Sequence, residues 1–115
     1  MKPKFFMTQS ELRSWFSEQH ETSAEIWIGF YKKNSGKTSV TYAEAVDEAL
    51  CFGWIDGIRK KIDEYRYTNR FTPRRKKSNW SNNNIENVKR LKKAGRMTPS
   101  GLREVDRAKA DGRIK

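Results

Sequence analysis

The stretch Glu25-Ile26-Trp27-Ile28-Gly29-Phe30-Tyr31 is the longest strongly apolar run in the chain. The whole sequence is 34% charged and only 35% hydrophobic. A run so short and so rich in strand-forming residues belongs inside a sheet. We read it as a strand covered on both faces. At about seven residues it falls far short of the ~20 that a membrane-crossing helix needs.

The remaining segments must supply its neighbours and its cover. Trp54–Ile62 and Tyr65–Thr72 read as two strands joined at Asp63-Glu64, a hairpin whose turn lacks the usual glycine. Thr8-Gln9-Ser10-Glu11 has capping-box spacing and predicts a helix from about Ser10 to His20, with Leu12, Trp15 and Phe16 inward. Thr41-Tyr42-Ala43-Glu44 repeats the signal. Helical spacing puts Tyr42, Val46, Ala49 and Leu50 on one face, with Glu44, Asp47, Glu48 and Cys51 on the other, and Gly53 closes the helix. Asn82–Ala94 carries a narrow Ile85, Val88, Leu91 stripe that stops at Gly95. Thr98-Pro99 opens a last helix with Leu102 and Val105 inward. The predicted order is α-β-α-β-β-α-α. This is an α+β fold, a small antiparallel sheet of about three strands packed with four helices, in one domain over residues 1–115.

Net charge is +11 and is unevenly spread. Residues 58–93 carry 13 Lys and Arg against 3 acids, whereas residues 1–57 carry 6 against 8. The middle third should attract anions. One cysteine allows no intrachain disulfide and no cysteine-rich zinc site. No cofactor is implied. The N-terminus has two lysines but no continuous apolar stretch after them, so the expected compartment is the cytoplasm.

Asp56 stands between Ile55 and Gly57, just before the basic region. Carboxylate catalysis needs a second acid close by, and the sequence fixes none. We expect Asp56 to pair with Arg70 or Arg74 instead. Cys51 lies at a helix C-terminal end with Asp47 one turn back, features that raise a thiol pKa, so it reads as a packing cysteine rather than a nucleophile paired with His20. No catalytic residue is assigned.

In Arg70-Phe71-Thr72-Pro73-Arg74-Arg75-Lys76-Lys77-Ser78-Asn79-Trp80-Ser81, four consecutive cations lie between aromatics. Forked guanidiniums hold carboxylates or phosphates, aromatics stack flat ligands, and Ser81 precedes a helix N-terminus. The expected ligand-binding set is Trp54, Asp56, Arg70, Arg74, Arg75, Trp80 and Ser81, with Asn82 to Asn84 as added donors and acceptors. The leading expectation is a binding module with an anion- or phosphate-receptive pocket. Non-specific nucleic-acid binding through Arg66, Lys76, Lys77, Lys89, Arg90 and Lys93 is the alternative. An enzyme using Asp56, or an interaction protein with no small ligand, are the other readings.

Three motifs, VTYAEAVDEALCFGWIDG, RFTPRRKKSNWSNNN and GRMTPSGLREVDRAKADGR, resemble the YdeI/OmpD-associated family, also labelled bacteriocin-protection proteins. The resemblance runs from about Phe5 to Arg113 and falls on Gly53, Trp54, Asp56, Gly57, Arg70, Thr72, Pro73, Arg74, Ser78, Trp80 and Ser81, with Gly95, Arg96, Met97 and Gly101 downstream. It implies a role in bacterial stress or bacteriocin protection and supplies no catalytic residues. Many members of that family continue into a basic helical tail, so the resemblance also implies a short or truncated form here.

Overall fold

The computed structural model describes residues 2–114. Four helices pack on one face of a four-stranded sheet. Helix α1 is Gln9–Gln19, strand β2 is Ile26–Tyr31, helix α2 is Tyr42–Cys51, and strands β3 and β4 are Trp54–Lys61 and Arg66–Pro73. Helices α3, Asn82–Lys93, and α4, Pro99–Ala110, complete the order. A short strand β1, Lys4–Phe5, precedes them all. It pairs parallel to β2, so the sheet is mixed and runs β1-β2-β4-β3. Sequence reading missed β1 because two residues have no periodicity. Its pairing is a backbone matter, with Phe5 laid over Gly29.

The caps explain the helix starts. At α2 the Thr41 hydroxyl accepts from the Glu44 amide, and the Glu44 carboxylate accepts from the Thr41 amide, a complete capping box. At α1 only half of the box forms. Thr8 accepts from the Glu11 amide, but Glu11 turns to the Met7 amide at 3.0 Å. Gly53 follows α2 with φ +78°, a conformation in which any side chain would be strained, and the chain turns there directly into β3. At the hairpin, the Asp63 carboxylate accepts from the Tyr65 amide at 2.9 Å, an Asx turn that closes the loop without a left-handed residue.

The core joins Leu12 and Phe16 of α1, Ala45, Ala49 and Leu50 of α2, Val88 and Leu91 of α3, and Val105 and Ala108 of α4. These lie against Ile26, Ile28, Phe30 and Phe71 of the sheet. Two expectations need correction. The β2 strand is covered by helices on one face only. Trp27 and Tyr31 point to the other face and are half-buried. Helix α2 also has no free acidic side, since Glu48 and Cys51 are both 0% exposed. The helix is buried on two sides because α1, α3 and α4 all contact it, along with β3.

That second side holds a polar centre. Arg13 Nη1 donates to Glu48 Oε1 at 2.8 Å, and Arg96 Nη2 donates to Oε2 at 2.9 Å. Gln9 Nε2 donates to the same Oε2 at 2.6 Å, and Arg13 Nη2 reaches the Arg96 carbonyl at 2.8 Å. The buried carboxylate thus spends both oxygens on three side chains from α1 and the α3–α4 turn, which a buried acid requires. Burial works to lower the Arg13 pKa, but the hydrogen bonds to Glu48 and Cys51 prevail and raise it above its ordinary value.

Candidate functional site

Strand β3 carries a bulge. Asp56 pairs with Phe71 and Arg59 pairs with Asn69, so Gly57 and Ile58 together oppose Arg70. The extra residue lets Asp56 and Arg59 both face the helices, while Ile58 is turned out, 63% exposed. The Tyr42 hydroxyl of α2 donates to Asp56 Oδ2. Burial first, and the bond to Asp56 second, push the Tyr42 pKa up to about 12. Arg59 lies between the Tyr42 and Tyr67 rings, 4.9 and 4.5 Å from their centroids.

Above the Tyr42–Asp56 pair opens a groove of about 560 Å³. Tyr42, Val46 and Ile55 line it on the α2 and β3 side, and Asn79, Ser81, Asn83 and Asn84 at the start of α3 form its other wall. Ser81 caps α3 by accepting from the Asn84 amide at 3.1 Å. The side-chain amides of Asn79, Asn83 and Asn84 make no hydrogen bond among the described residues. Asp47 and Arg90 close one end as a pair at 2.7 Å.

Behind this wall sits Arg74, only 7% exposed. Its guanidinium stacks 3.7 Å from the Trp80 ring centroid. Its Nη1 donates to Ser78 Oγ at 3.2 Å and to the Asn79 carbonyl at 3.1 Å. Arg113 Nη1 reaches the Ser78 carbonyl from the other side at 2.8 Å. Arg74 Nε and Nη2, Trp80 Nε1 and Arg113 Nη2 are buried without an acceptor among the described residues. Burial pushes the Arg74 pKa down to about 10, against the pull of Glu104 and Asp56. Arg74 therefore braces the 78–80 loop, and with it the groove wall, at the expense of a buried cation.

The expected ligand-binding residues are not one cluster. Asp56 and Ser81 line the groove. Asp56 makes no salt bridge among the described residues, so its expected pairing with Arg70 or Arg74 is corrected to the Tyr42 hydroxyl. Arg70 is on the opposite face of the sheet, where it pairs with Glu25 at 2.5 Å. Trp54 is 1% exposed and packs edge-on against Trp15 and Phe16. Arg75 is exposed and shares a separate shallow cleft with Lys77. Trp80 backs Arg74.

The basic residues are similarly dispersed. Arg66 stands at the hairpin end of β4, about 23 Å of strand from Pro73, and pairs with Asp63. Lys89 pairs with Glu86 and Arg90 with Asp47. Lys76, Lys77 and Lys93 are exposed and form no salt bridge among the described residues. Cys51 is buried, and burial raises its pKa, the direction expected from its place in the helix. His20 is engaged elsewhere, with Nδ1 donating to the Phe16 carbonyl and Nε2 facing Ser100 Oγ at 3.0 Å. Among the described residues, no group of three His, Cys, Asp or Glu side chains is placed to hold a metal ion, and no helix is long and apolar enough to cross a membrane.

Sequence reading missed Tyr42 as the partner of Asp56 and Glu48 as a buried acid. The bulge that aims Asp56 at α2 has one sequence signal, the Gly57 that follows it. Fold and groove define a small α+β domain with a groove beside its helix-covered sheet, apolar over much of its lining and edged by asparagine amides and Asp56. A family model described as a domain of unknown function, DUF8412, matches residues 4–104, and the chain belongs to that family. No curated protein and no solved structure matches it.

Proposed function

We propose that the protein is a cytoplasmic binding module whose ligand lies in the groove between α2 and the start of α3. The ligand's anionic or phosphate group faces the first turn of α3. Its hydroxyl or N–H groups face Asp56. One observation carries this reading. A single groove has uncommitted amides and a helix N-terminus at one wall and a carboxylate at its base. Backbone N–H groups of a first turn favour an anion, and the unspent amides of Asn83 and Asn84 add donors there. Asp56 repels an anion at the other end and accepts from neutral donors, while Val46 and Ile55 give the lining between them an apolar character. Arg74 and Trp80 support the wall rather than touch the ligand. On the motif resemblance alone, the proposal extends to a bacteriocin-protection or stress role.

The test is a ¹⁵N NMR titration of the full chain with adenosine monophosphate, inorganic phosphate and adenosine at millimolar concentrations. The monophosphate and phosphate are expected to shift the amides of Asn82, Asn83 and Asn84, and adenosine much less. Shifts confined to residues outside the groove, or none with any of the three, would overturn the reading.

A further inference from the structure

The face of the sheet that carries no helix is built unlike an ordinary solvent face. Phe5 of β1 and Trp27 and Tyr31 of β2 all point to it, by their pairing with Gly29, Arg70 and Arg66. None of the three belongs to the core or packs against it. Phe5 covers Gly29, whose missing side chain makes the room, and its ring centroid is 5.0 Å from that of Tyr31. Trp27 and Tyr31 are four residues apart on one strand, about 13 Å.

Cations stand over each ring. Lys60 Nζ is 5.5 Å from the Trp27 centroid, Lys37 Nζ is 5.7 Å from Tyr31, and Arg66 is 5.8 Å from Phe5. Arg70 lies beside Trp27 in the register. The acids nearby, Glu25 and Asp63, are each already paired with an arginine. Lys37 and Lys60 make no salt bridge among the described residues. The face is therefore aromatic and net positive.

We infer that this open face is a stacking platform for single-stranded nucleic acid. Unpaired bases expose the flat π-faces that Trp27, Tyr31 and Phe5 can stack, and the phosphates between them need cations at the rim. A lysine resting on a ring is displaced by the incoming base and moves to the adjacent phosphate. A duplex hides its base faces and offers only phosphates, so it gains nothing from the aromatics. This site is separate from the groove at α3 and does not depend on the reading given to that groove.

Fluorescence anisotropy of the full chain with labelled oligouridylate, oligodeoxythymidylate and a matching duplex tests the inference. Both single strands are expected to bind more tightly than the duplex. Trp27→Ala should weaken single-strand binding roughly tenfold or more, the loss of one stacked base, and Trp27→Phe should retain most of the affinity. Should Trp27→Ala fail to fold, the ¹⁵N footprint of the oligonucleotide on the unaltered protein decides instead. It is expected on the Trp27 indole and on β1 and β2. No single-strand binding at low salt, equal binding of duplex, unchanged affinity in folded Trp27→Ala, or a footprint on the 74–81 loop alone would overturn it.

Discussion

Tyr42 donates its hydroxyl proton to Asp56, so the acid that stands just ahead of the basic region is held by a phenol and not by an arginine. Burial and this bond raise the Tyr42 pKa from 10.0 to about 12. The folded protein then holds the phenolic proton longer than the unfolded chain does. The contribution is complete below the unfolded pKa of 10.0 and is lost as pH rises through the folded value of about 12. Tyr42→Phe should lower stability at neutral pH by about 1 kcal/mol. The gap between the two proteins should close between the unfolded and folded pKa values. Arg74, with its pKa lowered to about 10, shifts stability the opposite way in this range, but equally in both proteins. Urea unfolding at a series of pH values checks this. A gap that stays constant to the highest pH would mean the hydroxyl is not bonded to Asp56.

Glu48 is 0% exposed and answers three donors, so its removal leaves Arg13 and Arg96 without their acceptor. Both arginine side chains still reach water, at 29% and 42% exposure. Glu48→Ala should therefore cost about 3 kcal/mol, the lower end for breaking a buried pair. Urea denaturation of Glu48→Ala, of Arg13→Met and of the two combined measures it. The double variant should recover part of the loss, because it removes one stranded cation. A loss in the double variant equal to the sum of the singles would contradict the coupling.

Arg74 is a buried cation with two nitrogens unpaired among the described residues, so its charge works against folding while its shape works for it. Arg74→Met keeps an apolar contact on Trp80, gives up the bonds to Ser78 and Asn79 and removes the buried charge. Arg74→Lys keeps the charge and loses the planar stack and the fork that holds Ser78 and Asn79. The expected order of Tm is wild type close to Arg74→Met, with Arg74→Lys lower by about 2 kcal/mol of stability, as for other buried polar groups left unsatisfied. The reverse order of the two variants would show that the charge is well compensated.

Elements with strong local signals were legible in the sequence. Thr41 and Glu44, Thr98 and Pro99, and the apolar Ile26–Tyr31 run each fixed an element, because caps and periodicity act within a few residues. What escaped was set by distant partners. Glu48 shares a side of α2 with Glu44 and Asp47 and looks like a surface acid until Arg13 and Arg96 arrive from α1 and the α3–α4 turn. Arg70 and Arg74 are neighbours in one basic motif, yet Arg70 points to one face of the sheet and Arg74 ends in the loop beyond it. Asp56 and Ser81 line one groove, but the bulge at Gly57 and Ile58 brings the acid to Tyr42 rather than to an arginine.

Gly101 shows how closely α4 approaches the end of α2. A Cβ there would fall well inside van der Waals contact with the Cys51 carbonyl oxygen. That oxygen is held in place by the Thr98 amide at 3.0 Å and the Thr98 hydroxyl at 2.5 Å, the same residue that caps α4. Moving α4 outward to admit a methyl would stretch both bonds and open the contact at Val105 and Ala108. In an isolated helix Gly→Ala is worth about 1 kcal/mol in favour of folding. Here overpacking should outweigh it, and Gly101→Ala is expected to lose about 2 kcal/mol net. Thermal unfolding followed by circular dichroism measures the sign directly. A raised Tm would mean that helix propensity wins and that the α2–α4 contact yields without breaking the Thr98 bonds.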